Sequence, residues 1–440
     1  MNRLKNDRIN KMPKILVKET KGITLIALVI TIVVLLILAG VVIATLNGND
    51  NIIKNANTAV GKYNEKVNEE QGILDTLEEK LREYTNEGSS NPTTPEEPGT
   101  PPTTPTTPTV DSNGLAKENT TIKPDKNSNL QIVIPEGFVP AILQTGTTQS
   151  LPGEDGSVKN KMPASQWNSI TADDINKGIV VVDADGNEFV WIPITDASKF
   201  ARTAWTTKYG YDANGSWQTN LTTPHQFADK STANRWWEDT STTEYTNMVT
   251  SVTHNKGFYV ARYEASANSN DSSKAQSKRG ATAWGAISQT DAITKSANYN
   301  AALHSHLMYG IEWDSILNWL NGNATISSST SGETKTMALG DLQTNSCSWG
   351  NYFNSTGNAA TNSGLPQTTG KSEYWKANNI YDLAGNVEEW TQEKYSTGTP
   401  RAYRGGSCSS YGDNYPAAYR YYSVASYTFN NVGFRASFYL

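Results

Sequence analysis

Tyr381-Asp-Leu-Ala-Gly-Asn-Val-Glu-Glu-Trp390, then Arg404-Gly-Gly-Ser407, then Gly433-Phe434-Arg435 are the stretches that decide how this chain folds. Each block is weak alone; the ordered set is specific. Between the second and third, the chain carries Tyr411, Tyr415, Tyr419, Tyr421, Tyr422 and Tyr427 among serines and asparagines. Tyrosine brings a large amphipathic contact area with few rotors, and Ser and Asn supply adaptable hydrogen bonds. Antibody binding loops use the same combination. The candidate ligand contacts are Ser409, Ser410, Tyr411, Asp413, Asn414, Tyr415, Tyr419, Tyr421, Tyr422 and Tyr427, with Arg404, Gly405, Gly406, Gly433, Phe434 and Arg435 holding the ends of the segment.

Working back from these blocks, short strands are expected at Ile132-Val-Ile-Pro135 and Lys256 to Glu264, with a hairpin of Ile179 to Asp183 and Asn187 to Ile192 around an Asp-Gly turn. Tyr309 to Leu320 has helical spacing. The Asn/Ser/Thr/Gly stretches between these elements are long loops, which defines an α+β, loop-rich domain over 131–440. Asp-Ala-Asp-Gly at 183–186 lacks the closing Glu of an EF-hand loop and reads as a turn. A net charge of −6 with no basic face excludes nucleic acid as a partner. Cys347 and Cys408 either form one disulfide or stay as small buried hydrophobes. His304 and His306 precede a helix with no carboxylate nearby, a polar loop detail rather than a ligand set.

The N-terminal part has a different composition. Residues 1–22 form a basic leader, with Arg3, Lys5, Arg8, Lys11, Lys14, Lys18 and Lys21 against Asp7 and Glu19. Residues 23–46 (ITLIALVITIVVLLILAGVVIATL) are apolar. A helix of that length reaches roughly 36 Å, enough to cross a hydrocarbon core of about 30 Å. The basic flank keeps the leader in the cytoplasm and sends the rest outward, so the expectation is a bacterial cell membrane protein with a single pass and an extracellular C-terminal domain. Within 47–87 apolar residues recur at steps of three and four, including Ile53, Val60, Val67, Leu74, Leu77 and Leu81. That helical stalk is either one lone helix or a seam for homo-oligomerisation. The Pro/Thr-rich linker 88–130 follows, its Pro-Thr-Thr repeats favouring extended polyproline II.

The join Lys21-Gly22-Ile23 resembles a type IV prepilin leader, although Ala27 stands where pilins usually have Glu. From residue 132 to the end, the three blocks, the 185–193 hairpin, Gly257-Phe-Tyr and Arg262-Tyr-Glu264 resemble the formylglycine-generating-enzyme family, a branch of the C-type lectin fold. This resemblance implies a head of that fold, which the 23–46 run is expected to anchor in the membrane. It also implies a structural calcium ion held by the side chains of Asp382 and Glu389 and the carbonyls of Gly385 and Val387; the other reading is a metal-free turn in which Glu389 bonds backbone amides. Family enzymes bind copper through cysteines three and eight residues after the serine of Gly-Gly-Ser. Those positions are Ser410 and Tyr415 here, and neither supplies a thiolate for Cu(I). No copper and no catalysis are therefore expected. The Tyr/Asn/Ser segment also resembles the variable region of proteins diversified by retroelements. The expected function is surface binding of an extracellular protein or glycan by a diversified or a fixed face. An oxidase of the formylglycine type and a minor pilin-like subunit are the alternatives.

Overall fold

The computed structural model describes residues 107–440 apart from 126–127, 144–157, 213–215, 226, 228–235, 328–333 and 362. The basic leader 1–22, the apolar run 23–46, the stalk 47–87 and residues 88–106 of the linker lie outside the described residues. Among the described residues, no helix is long and apolar enough to cross a membrane. The chain divides into two units, Met1–Pro102 and Thr103–Leu440, and the second holds every described residue.

In chain order the strands that frame this second unit are β1 Thr120–Ile122, β2 Ile132–Ile134, β3 Val139–Leu143, β4 Val158–Lys161, β5 Val180–Val182 and β6 Glu188–Pro193. They continue with β7 Gly210–Tyr211, β8 Trp217–Gln218, β9 Trp236–Trp237, β10 Gly257–Ala261 and β11 Ser305–Leu307. The last five are β12 Glu388–Tyr395, β13 Pro400–Arg404, β14 Arg420–Val424, β15 Val432–Phe434 and β16 Ala436–Phe438. Three helices exceed two turns: α1 Thr243–Asn255, α2 Gln289–Ala297 and α3 Gly310–Leu320. The architecture is mixed helix and sheet, rich in strands and loops.

One sheet is antiparallel throughout, in the order β11-β16-β10-β6-β5-β3-β4. The expected 179–192 hairpin sits inside it as β5 and β6, with Val181 opposite Phe189. Asp183 closes the turn by accepting the Asn187 amide at 2.8 Å, and Gly186 supplies the positive φ of 80° that the turn requires. The second sheet runs β14-β13-β12-β15, with β15 parallel to β12 and β9 joined at the far end of β12. Helix α3 is nearly all buried, and its Trp313, Ile316, Leu317 and Leu320 join Trp191, Ile192 and Phe258 in the main core.

The folded unit begins earlier than the expected boundary at 131. Val110 bridges Ala116, β1 pairs β2 with Thr121 opposite Val133, and Leu115, Ala116 and Ile122 are buried. A few apolar residues after the last Pro-Thr-Thr suffice to anchor this segment, which shortens the 88–130 linker at its C-terminal end.

The second sheet and α3 are tied by a buried network of charge. Arg404 donates to Glu393 at 3.1 Å and to Asp314 at 3.0 Å. Arg420 donates to Glu393 at 2.9 Å and straddles Asp314 at 2.6 and 2.7 Å. Arg202 reaches Asp314 at 3.1 Å, Glu238 at 3.3 Å, and Glu393 as well. Glu238 in turn accepts the first amides of α3, those of Gly310 and Ile311. Three cations meet three anions, and all but Arg202 are fully desolvated or nearly so. Burial by itself would raise the Asp314 carboxyl, but Arg420, Arg404 and Arg202 outweigh it and hold the group well below its usual range.

Removing one member leaves a buried charge uncompensated, which costs about 3–5 kcal/mol. Asp314→Asn is therefore expected to lower unfolding free energy by about that amount in urea titrations, whereas Lys177→Ala, which deletes an exposed i,i+4 pair with Asp173, changes it by less than about 0.5 kcal/mol. Equal effects from both would show that the network contributes nothing special.

Candidate functional site

Strand alternation sorts the second sheet into two chemistries. Glu389 stands opposite Arg404, which stands opposite Arg420, and these point to the ionic side. Trp390 stands opposite Tyr403, which stands opposite Tyr421, and these point to the other. Trp390 and Tyr403 meet at right angles, 5.2 Å between centroids, and Tyr421 follows at 5.7 Å from Tyr403. Val432 and Phe434 complete this face, with Trp284 and Tyr427 packed against it.

The candidate contact residues lie at several depths. Tyr411 is 46% exposed and leans on Phe353, exposed to the same extent, at 5.5 Å. Ser409 is exposed, while Ser410, Asp413, Asn414, Tyr415, Tyr421, Tyr422 and Tyr427 are half-buried. Tyr419 is a correction. It is 2% exposed, edge-on to Tyr415 at 4.7 Å, and its backbone carbonyl accepts from Arg404. Its neighbour Arg420 turns into the ionic network and draws Tyr419 inward with it, so Tyr419 supports the face instead of touching a ligand. Ser409 and Ser410 both lie within hydrogen-bond reach of Ser407 Oγ, at 3.2 and 3.0 Å, and Asn431 donates to Ser407 and Ser409.

Sequence reasoning missed a second element, the hairpin of β7 and β8. Tyr209 stacks on Tyr415 at 5.5 Å with 17° between planes, and Trp217 meets Tyr421 edge-on at 5.5 Å. Tyr211 lies 5.3 Å from Tyr422, which in turn stacks on Tyr395 at 4.1 Å. Lys208 donates to Asn414 Oδ1 at 2.7 Å. The available signal was Tyr209-Gly-Tyr211 followed by Trp217 around Asp-Ala-Asn-Gly, aromatic residues flanking a turn. Trp217 itself is 38% exposed, so the hairpin adds surface as well as cover.

Beneath the opposite face, the turn at 381–390 has a different occupant from the calcium that the resemblance implies. Both oxygens of Glu389 accept from Arg435, at 2.6 to 3.1 Å. Arg435 also donates to the carbonyls of Ala261 and Tyr381. Glu264 accepts from the Asn386 side chain and from the Val387 amide, the latter at 2.9 Å. Asp382, at φ 57°, accepts the Gly370 amide through Oδ2, and its buried Oδ1 has no partner. Burial pushes the Asp382 carboxyl up to about 7, and burial with the charges of Asp382 and Glu389 pushes Glu264 up too. Among the described residues, no group of three or more His, Cys, Asp or Glu is placed to hold a metal ion. Of the set Asp382, Gly385, Val387 and Glu389, the Glu389 carboxylate is paired with a guanidinium and Asp382 keeps one buried oxygen without a partner.

The remaining candidates are plain. Cys347 and Cys408 are free and buried, and burial pushes their thiols up to about 11 and about 12. His306 does meet a carboxylate, contrary to the sequence reading. Glu312 of α3 lies 3.1 Å away and Ser437 3.0 Å away, all three buried in the core.

No family profile and no curated protein matches the chain. Solved structures do. PvdO from Pseudomonas aeruginosa aligns at 12% identity over 58% of this chain and 96% of its own, with a TM-score of 0.34. CarF aligns at 12% identity over 42% and 87%, TM-score 0.27, and Treponema denticola variable protein 1 at 14% over 58% and 96%, TM-score 0.24.

Two measurements check the turn. Unfolding midpoints in millimolar calcium and in chelator should agree; a rise of more than ~2 °C with calcium would restore the metal reading. A carboxyl raised on folding contributes stability that is intact below its usual range and is lost as pH rises through its folded value. Asp382→Asn is therefore expected to flatten the decline in stability between pH 5 and 8 relative to the wild type, in denaturant titrations at each pH.

Proposed function

We propose that this chain is a surface-anchored receptor. A basic leader and a single membrane helix would hold it in a bacterial cell membrane, and a C-type-lectin-like head, similar in its motifs to the formylglycine-generating-enzyme family, would bind an extracellular protein or glycan. The observation that carries the reading is the aromatic surface at the C-terminal segment. Tyr411, Phe353, Trp217 and Phe429 are exposed and Tyr415, Tyr421, Tyr422 and Tyr427 half-buried, on β14, on the β7–β8 hairpin and on the loops around a sheet one side of which is locked by charge. Rigid aromatic anchors with Ser and Asn between them suit recognition of a partner.

The same segment, 405–431, runs between framework positions that are fixed by burial: Arg404 in the ionic network and Arg435 on Glu389. Between such anchors, side chains at the surface can change without disturbing the fold, which suits a segment diversified by a retroelement. Ser410 and Tyr415 stand at the positions of the family's copper cysteines, so the proposal includes no oxidase activity.

The test is ligand capture by the full chain displayed on cells, against arrays of extracellular proteins and glycans. Tyr411→Ala and Trp217→Ala are expected to weaken a captured ligand by about tenfold or more each, as interface anchors do. Tyr419→Ala is expected to act differently, lowering stability by about 3–5 kcal/mol through a core cavity. Capture that survives the Tyr411 and Trp217 changes together, in a folded protein, would place the binding face elsewhere. A reverse transcriptase and a near-copy of the 401–435 coding segment beside the gene would separate a diversified face from a fixed one.

A further inference from the structure

Glu388 is the one residue of the 381–390 block that the framework leaves without a task. Its neighbour Glu389 faces Arg435, and strand alternation turns Glu388 to the aromatic side, with Trp390 two residues on and Val432 directly opposite. It is 9% exposed. Among the described residues its carboxylate accepts no hydrogen bond and meets no cation, unlike Glu264, Glu312, Glu389 and Glu393, which are all paired. Its charge is felt by the phenols of Tyr352, Tyr403, Tyr415 and Tyr419 and by the Cys408 thiol. Nearby, Trp390 meets Tyr403 at 88° and Tyr415 meets Tyr419 at 83°. Tyr421 and Tyr427 pack against the Trp390–Tyr403 cluster at the rim of the core and, like Tyr415, are half-buried.

An unpaired buried carboxylate costs stability, and nothing among the described residues offsets the cost. Aromatic faces attract cations, and a carboxylate at the end of an aromatic enclosure supplies the opposite charge. Resting on the ligand-binding reading above, we infer that Glu388 and the rings of Tyr403, Tyr415 and Tyr421 form a recognition site for a cationic side chain, a lysine of the extracellular partner, inserted from the rim. This commits the ligand to a protein. The chain's net charge of −6 favours approach of a basic surface. Lys208, on the adjoining hairpin, is held by Asn414 at the rim, and Asp413 accepts from Asn354, so the charges at the mouth are engaged elsewhere.

The site carries its own pH signature. Burial pushes the Glu388 carboxyl up to about 8. Burial also pushes the facing phenols of Tyr352, Tyr403, Tyr415 and Tyr419 and the thiol of Cys408 upward, so among these groups Glu388 is the one that ionises between pH 6 and 9. A lysine stays charged across that window, its usual pKa being about 10.4. Binding should therefore strengthen as pH rises and Glu388 acquires its charge.

The test uses the full chain and a short neutral peptide with one central lysine, alongside the same peptide carrying acetyl-lysine, titrated by calorimetry at pH 6 and pH 9. The lysine peptide is expected to bind about tenfold more tightly at pH 9 than at pH 6, and about tenfold more tightly than the acetyl peptide at pH 9. Glu388→Gln, nearly the same shape, should abolish both differences while its near-ultraviolet dichroism stays that of the wild type. It should also lose less stability than the wild type above pH 7, because the raised carboxyl that penalises the folded state at high pH is gone. Equal binding of the two peptides, binding unchanged by Glu388→Gln, or no binding of the lysine peptide would each overturn the lysine site. If a captured extracellular ligand still depends on Tyr411 and Trp217 in that case, the receptor reading stands and only the lysine assignment fails.

Discussion

Everything at the C-terminal face depends on Asp314 and Glu393 being shared among three arginines. Asp314 comes from α3, Glu393 from β12, Arg404 from β13, Arg420 from β14, and Arg202 from the loop before the β7–β8 hairpin. One desolvated cluster thus fixes the relative positions of a helix, three strands and a loop. Direction matters as much as energy here, because guanidinium forks accept few geometries. A hydrophobic contact would tolerate sliding; this arrangement does not.

That constraint lets the other side of the same sheet be chemically permissive. Trp390 and Tyr403 are buried there in a hydrophobic cluster with half-buried Tyr421 packed against it, while Glu389, Arg404 and Arg420 hold the strands in register from behind. The 405–419 connection enters at a buried Arg404 and leaves at a buried Arg420, and its backbone is further held by the Ala418 amide on Leu342 and the Ser346 amide on Gly412. A segment tied at this many places keeps its path whichever side chains it displays outward.

The sequence made some of this legible and hid the rest for definable reasons. The β5–β6 hairpin, β10 and α3 follow directly from local pattern, because Asp-Gly turns, strand alternation and helical spacing are short-range signals. Arg404, Gly433 and Arg435 were correctly read as framework. Their distant partners were not, since Asp314 lies 90 residues from Arg404 and Glu389 46 residues from Arg435, and no local pattern marks an ion pair across such separations. Tyr419 was misassigned because a Tyr-rich run gives no period that separates inward from outward rings on an irregular loop. The link between His306 and Glu312 was hidden by the turn between β11 and α3, which folds six residues back on themselves. Calcium was implied by matching residue types, and Arg435, forty-six residues from Glu389, supplied the charge that the match left out.

The two cysteines have a consequence for where such a head can operate. Both thiols are single, enclosed and held in the unreactive protonated form, and no cross-link contributes to the described architecture. Maturation therefore calls for neither an oxidant nor a disulfide isomerase, and reductants do not dissolve the fold. The described architecture rests instead on packing, hydrogen bonds and buried ion pairs, which a change of redox conditions leaves alone.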